Sequence, residues 1–159
     1  MSPIPLLIAL LVGCGTDPVQ EDVSAYHDAM KPLLAKNLVL AQGFLDVASK
    51  VKKGDTDAAR IAERLASEIT PAADQLRAEA EKIEPVTPTL GEAHGLLVRA
   101  WGDRAASYHA MSDAWAQNDP VAFDLARKKN LQSKLDEETF FQTVNAIAQP
   151  YGWVIDQYP

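Results

Sequence analysis

The sequence has one cysteine, three histidines and fewer cations than anions. Its 159 residues include 22 Asp and Glu against 15 Lys and Arg, which gives a formal net charge of −7. A single cysteine excludes an internal disulfide framework and any cysteine-rich zinc site. The shortage of cations argues against nucleic acid as a partner, because binding a phosphate backbone requires clustered Lys and Arg. The chain must therefore fold through its hydrophobic core alone.

Motifs that hold cofactors or perform catalysis are also missing. There is no Glu-x-x-His pair for a di-iron centre, no Cys-x-x-Cys-His for covalent haem and no glycine-rich phosphate loop. His27, His94 and His109 are too few for a site built from several histidines. His94 lies on an apolar line and is expected to be a core or bundle-end residue with a hydrogen-bond partner, whereas His109 should face solvent. We therefore expect no enzyme activity, no cofactor and no metal.

No apolar run is long enough to cross a bilayer, which requires roughly 20 residues. The run from Pro5 to Val12 is shorter and fits the apolar region of a secretory signal. It ends in Leu11-Val12-Gly13-Cys14, which resembles the lipobox of bacterial lipoproteins. No Lys or Arg precedes the run, a departure from the usual signal. The other interpretation is a buried Cys14 in a short core helix.

The lipobox resemblance implies a lipid anchor on the chain. It implies cleavage before Cys14, a diacylglyceryl group on the thiol and a fatty acyl chain such as palmitate on the new amine. Gly15, in place of Asp, resembles the residue that follows the cysteine in lipoproteins sorted to the outer membrane. The resemblance therefore implies a protein of the bacterial cell envelope, lipid-anchored in the outer membrane and facing the periplasm.

After Cys14 the sequence predicts four amphipathic helices. Asp17-Pro18, Asp55, Thr87-Pro88 (or Thr89 with Glu92) and Asp119-Pro120 are typical helix starts. Pro32 and Pro71 interrupt the first two helices and should kink them. Apolar residues recur at spacings of three and four, the pattern of one buried helix face. The predicted stripes are Val23, Tyr26, Met30, Leu33, Leu34, Leu38, Ala41, Phe44, Leu45, Ala48 and Val51, then Ala58, Ile61, Leu65, Ile69, Ala72, Leu76, Ala80 and Ile83.

The third helix carries large side chains at intervals of seven, and polar residues interrupt several stripes. Its line is His94, Trp101, Tyr108 and Trp115. These aromatics indicate either a packed core seam or an aromatic-lined cleft for a small ligand. Polar residues on or beside the stripes indicate either a hydrogen-bonded layer that fixes helix register or a groove where the fourth helix packs loosely. They are Asn37, Arg104, Asn130 and Glu137.

These observations predict an all-α fold, an antiparallel four-helix up-down bundle that follows an N-terminal lipoprotein signal peptide. The predicted boundaries are 1–13 for the signal, 14–18 for lipid attachment and the helix cap, 19–149 for the bundle and 150–159 for an aromatic tail. An array of two-helix hairpins is the alternative fold. The tail is expected either to fold back on the bundle end or to form an exposed patch that a partner covers.

The sequence predicts a membrane-anchored, periplasm-facing lipoprotein that acts as a non-catalytic binding or scaffold module. Its expected partners are the membrane, through lipid at Cys14, and an unidentified envelope protein, with no nucleic acid. The alternative is a sensing bundle that binds a small anion in a pocket of aromatic side chains and Arg104. In architecture the chain is similar to small helical envelope lipoproteins of unknown function. The predicted contact residues are Trp101, Arg104, Tyr108, Trp115, Trp153 and Tyr158.

Overall fold

The computed structural model describes residues 17–52 and 58–156, and its regular elements are all helical. A π-helical segment (Leu65–Ile69) joins α2 to α3, and a 3₁₀ turn (Gln149–Tyr151) follows the last helix. The described residues contain no β-strand, which confirms the predicted all-α class. The α-helices are α1 (Pro18–Lys52), α2 (Ala58–Arg64), α3 (Thr70–Ala80), α4 (Pro88–Ala116) and α5 (Pro120–Ala148).

The helices form an up-down bundle of four rods, the second of which consists of α2, the π segment and α3 in succession. α3 packs on both α1 and α4, and α4 lies against α5 along its length, whereas the backbones of α1 and α5 come close at only a few positions. Short connections, 81–87 and 117–119, join consecutive rods and make neighbours antiparallel. The predicted signal, Cys14, residues 53–57 with the predicted helix start at Asp55, and Tyr158 lie outside the described residues.

Two of the predicted helix starts are present with their caps. Asp17 accepts a hydrogen bond from the Val19 N–H at 2.9 Å, and Asp119 accepts from the Val121 and Ala122 N–H groups. Thr87 precedes α4 but makes no side-chain cap bond. In its place, the carboxylate of Asp22 on α1 accepts from the Val86 N–H at 3.1 Å and the Thr87 N–H at 2.6 Å. The start of α4 is thus fixed to the start of α1.

Pro71 lies in the first turn of α3, just after the π segment, while α1 runs through Pro32 as one helix. The Thr70 N–H bonds to the Leu65 carbonyl, five residues earlier, just before the proline. A π turn contains one residue more than an α turn. After Ile69 the buried positions are Thr70 and then Ala73, whereas Ala72 is exposed, so the prediction that Ala72 faces the core is wrong.

The core contains most of the predicted apolar positions, and Trp101, Tyr108 and Phe140 are its largest fully buried side chains. Leu45 and Ala48 were predicted to be buried and are exposed. The buried line of α1 runs instead through Asn37, Leu40 and Val47, one residue earlier in each turn, because the stripe continues through a polar residue.

Candidate functional site

A layer of charged and polar side chains crosses the middle of the bundle. Arg104 on α4 donates from Nη2 to Oδ1 of Asn37 on α1 at 2.6 Å, and its Nη1 lies 3.3 Å from Oε2 of Glu137 on α5. Asn37 Nδ2 donates to Glu137 Oε1 at 3.0 Å, and the Trp101 indole N–H donates to the same oxygen at 2.7 Å. These four residues are 1–4% exposed. Three rods of the bundle are therefore linked through one carboxylate.

The charged groups of this layer are paired with each other. The guanidinium of Arg104 lies 5.6 Å from the centre of the Trp101 ring, so it also has an aromatic neighbour. Among the buried polar atoms of the described residues, Thr70 Oγ1, Arg104 Nε and Asn130 Oδ1 have no hydrogen-bond partner. Three of the four polar positions predicted on the stripes thus meet in one network, and Asn130 does not join it. The indole bond of Trp101 was not predicted, because nothing in helical periodicity indicates it.

Tyr108 lies next to the layer and stacks on Phe44, with ring centres 4.6 Å apart. Burial raises the pKa of Tyr108 to about 12, and the Glu137 carboxylate adds to this while the Arg104 charge opposes it. Tyr108 therefore stays neutral at ordinary pH. Its ring fills space in the core, as Trp101 does.

His94 lies at the end of the bundle that carries the N-terminus of α1. Its Nε2 is 2.9 Å from the carbonyl of Ala80, the last residue of α3, and its Nδ1 is 3.0 Å from the Tyr26 hydroxyl. A carbonyl can only accept, so Nε2 carries the proton and Nδ1 accepts from Tyr26. Burial lowers the pKa of His94 and outweighs the opposite effect of the Ala80 carbonyl. The neutral ring thus satisfies a carbonyl at a helix end.

The C-terminal tail folds back between α5 and α1. Asn145 accepts from the Ile155 N–H at 2.8 Å and donates to the Ile155 carbonyl at 3.0 Å, and Ile155 is 2% exposed. Trp153 packs on His27 of α1, with ring centres 4.6 Å apart. Of the two predicted arrangements, the described part of the tail takes the packed one. The role of Asn145 was not predicted, because a contact with distant backbone leaves no periodic signal.

The predicted contact residues do not form one site. Trp101, Arg104 and Tyr108 meet in the core. Trp115 lies apart and meets the Phe123 ring edge-on at 5.3 Å. Trp153 belongs to the tail, and Tyr158 is outside the described residues.

The first half of α5 exposes large aliphatic side chains on one side. Successive helix residues are about 100° apart around the helix axis, so four exposed positions between residues 121 and 135 fall within an arc of about 120°. They are the α5 apolar face: Val121 (69% exposed), Leu125 (57%), Leu131 (49%) and Leu135 (54%).

Cations surround this face in a chain that is acidic as a whole. Residues 121–135 contain Arg127, Lys128, Lys129 and Lys134 but a single carboxylate, Asp124. Asp124 bonds to Arg127 at 2.8 Å and to Lys128 at 2.9 Å. The exposed aliphatic side chains and these cations thus form one surface.

A second apolar surface lies between α1 and α3. It is a groove of about 550 Å³ whose lining includes Val39, Leu40, Gly43, Ile69 and Leu76. Gly43 allows α1 to approach the π segment closely, because an added Cβ would lie 3.1 Å from the Ile69 Cδ1 atom.

Within residues 17–52 and 58–156, no group of three or more His, Cys, Asp or Glu side chains is placed to hold a metal ion. The helices of this part of the chain include none with the length and hydropathy of a membrane span. Comparison with protein-family models, with curated proteins and with solved structures finds no match.

Proposed function

We propose that this protein is a lipid-anchored lipoprotein of the bacterial cell envelope that acts as a non-catalytic protein-binding module. Its anchor is lipid on Cys14, in the outer membrane on the periplasmic side. Its binding surface is the α5 apolar face with the surrounding cations. The observation that carries the binding role is this face, because four aliphatic side chains about half to two-thirds exposed on one side of a helix exceed the scattered apolar residues of an ordinary surface.

The charge of the face indicates the class of partner. An amphipathic helix packs its apolar side against such a surface, and acidic residues on its flanks would complement Lys128, Lys129 and Lys134. A second copy is a poorer partner. Antiparallel pairing of two copies of this face about its midpoint, residue 128, would place the basic cluster against itself.

The membrane is also a poorer partner for this face. Asn37 is bonded to Glu137, so position 137 of α5 is level with position 37 of α1. That level is about 28 Å from Pro18, at 1.5 Å per residue. The whole α5 apolar face lies farther still from the end nearest Cys14. An anchored bundle that stands upright would hold the face away from its own bilayer.

The interior supports this proposal over a small-ligand pocket. An anion that bound Arg104 would have to compete with Glu137 and Asn37, which already accept hydrogen bonds from the guanidinium. Displacing a buried carboxylate from its partner is costly, because the displaced charge would stay in the core.

The anchor is tested with Cys14→Ser, expressed in a bacterial host beside the control Thr16→Ser, which keeps the thiol. We expect the control to remain in the membrane fraction, with diacylglyceryl and acyl mass on its N-terminal peptide. Cys14→Ser should lose both the lipid mass and the membrane partition. Membrane partition that survives Cys14→Ser would refute the anchor.

The binding surface is tested with a photo-crosslinking amino acid at Leu131, compared with one at Val39. Val39 is a matched control because it is also aliphatic and 69% exposed, but it lies on α1 beside the other groove. We expect a discrete crosslinked protein from Leu131 and none from Val39. Crosslinks from Val39 alone would assign binding to the groove between α1 and α3, against the proposal.

A further inference from the structure

The end of the bundle nearest Cys14 has an apolar surface built mainly from prolines. We call it the Pro18 end, and it consists of Pro18, Pro85, Val86, Pro150 and Tyr151. Val86 is 85% exposed, the largest exposure among the large aliphatic side chains of the described residues. Pro18 and Pro150 are also exposed, and Pro85 and Tyr151 are half-buried. This surface is separate from the α5 apolar face.

Val86 is held in place in spite of its exposure. Its backbone N–H and that of Thr87 both donate to Asp22. Burial alone would raise the pKa of Asp22, but these hydrogen bonds outweigh it and lower the pKa. The carboxylate therefore stays ionised and keeps its hold on the 81–87 turn. An exposed side chain on a fixed turn is a persistent feature of the surface.

Tyr151 reaches the same end from α5. Gly152, with φ of 79°, reverses the chain after it, and Trp153 then returns toward His27 on α1. Burial and the neighbouring Asp17 carboxylate, to which it is hydrogen-bonded, raise the pKa of Tyr151. Tyrosine, with an apolar ring and a polar tip, is enriched where membrane meets water.

Cys14 is covalently close to this surface. Four residue steps separate Cys14 from Pro18, so their Cα atoms lie at most about 14 Å apart. If Cys14 is acylated, its chains must enter the bilayer within that distance of the Pro18 end. No other surface of the bundle is tied to the anchor so closely.

We propose that the Pro18 end rests on the lipid surface, with Val86 and Tyr151 in the headgroup layer and the helices standing away from the bilayer. This inference relies on the proposed lipid anchor at Cys14. The matching lipid is zwitterionic, because the exposed charges here include Asp17 and Glu84 with Lys82 as the opposing cation, and an excess of carboxylates repels an anionic surface.

The test places a nitroxide spin label on the full-length acylated protein in vesicles of phosphatidylethanolamine and phosphatidylcholine. The labelled variants are Val86→Cys, Pro150→Cys and the control Val121→Cys, since acylation leaves Cys14 with no free thiol. Val121 is a matched control because it is 69% exposed and begins α5 at the opposite end. Collision of each label with oxygen and with a water-soluble nickel chelate is measured by power saturation.

We expect the oxygen-to-nickel collision ratio at Val86 and Pro150 to exceed that at Val121 by about threefold or more, as for side chains buried in the headgroup region. Anionic phosphatidylglycerol in the vesicles should lower the ratio at Val86. A ratio at Val86 and Pro150 equal to that at Val121, in protein whose acyl mass is confirmed, would overturn this inference and leave the anchor intact. Absence of acyl mass would overturn both. A ratio that rises with phosphatidylglycerol would overturn the assignment to zwitterionic lipid.

Discussion

Arg104 and Glu137 form an ion pair inside the bundle, with Nη1 and Oε2 3.3 Å apart and side chains 5% and 4% exposed. Each charge is buried only because the other is present. The pair, with Asn37, favours the one alignment of α1, α4 and α5 in which all three side chains meet. Any slip of one helix by a turn would leave an unpaired charge in the core.

Neutralising one member of this pair should destabilise the fold. For Glu137→Gln we expect a loss of about 3–5 kcal/mol in the free energy of unfolding, because Arg104 keeps its charge without a counter-ion. Urea unfolding followed by circular dichroism measures it. The matched control is Glu138→Gln on the exposed side of the same turn, which should change stability by less than about 0.5 kcal/mol. Equal effects of the two variants would contradict a structural role for the pair.

His94 should make the stability of the protein depend on pH in the mildly acidic range. Its folded-state pKa lies below the unfolded value of 6.5, so the unfolded chain binds more protons there. The stabilising contribution is complete above about pH 6.5 and is lost as the pH falls through the folded-state pKa. We expect urea unfolding to show lower stability at pH 5.5 than at pH 7.5.

The variant His94→Gln should remove most of that difference between the two pH values. His109→Gln is the control, because His109 is exposed and contacts Asp74 on the surface. A pH dependence that disappears with His109→Gln and persists with His94→Gln would show that His109 causes it and would contradict this prediction.

Asn145 should hold the tail in place. In Asn145→Ala both hydrogen bonds to Ile155 are lost, and we expect hydrogen exchange at the Ile155 amide to become about tenfold faster or more. Helical content should change little, since the helices end before this segment. Gln142→Ala, exposed on the same helix, is the control and should leave exchange at Ile155 unchanged. Unchanged protection in Asn145→Ala would mean that packing of Ile155 alone retains the tail.

Two helical glycines should respond differently to alanine. At Gly102 a new Cβ meets no atom closer than 3.6 Å, so Gly102→Ala should stabilise the protein by about 0.5–1 kcal/mol. At Gly43 the Ile69 methyl group must move to make room for a Cβ. We therefore expect Gly43→Ala to increase the free energy of unfolding, measured by heat or urea, by less than Gly102→Ala does. A larger gain at Gly43 would show that α1 and the π segment are not closely packed.

Much of the fold could be predicted because helical periodicity reports burial directly. The stripes from Val23 to Leu34 and from Ile61 to Ile69 are buried as their spacing indicates. Polar residues on or beside the stripes, Asn37 and Glu137 among them, indicated either a buried layer or a groove. The choice between a layer and a groove could not be made from spacing, because it depends on which side chains meet across helices.

Contacts between side chains and distant backbone could not be predicted. Asp22 holds the turn before α4, and Asn145 holds the tail, yet each is one polar residue among many on a helix surface. The π segment was also missed. The spacing from Leu65 to Leu76 fits an α-helix equally well, and the extra residue is recognised only when Ala73 is found buried in place of Ala72.

The π segment also bears on which changes of chain length the bundle tolerates. Its turn contains one residue more than an α turn, and the helices on either side already face the core. In-frame loss of a single codon between Leu65 and Ile69 would close the turn into ordinary α-helix and leave both flanking helices facing as they do now. The same loss in the middle of α4 would rotate everything beyond it by about 100° and turn core side chains toward solvent. Length variation within the helical rods should therefore be accepted at this one segment first.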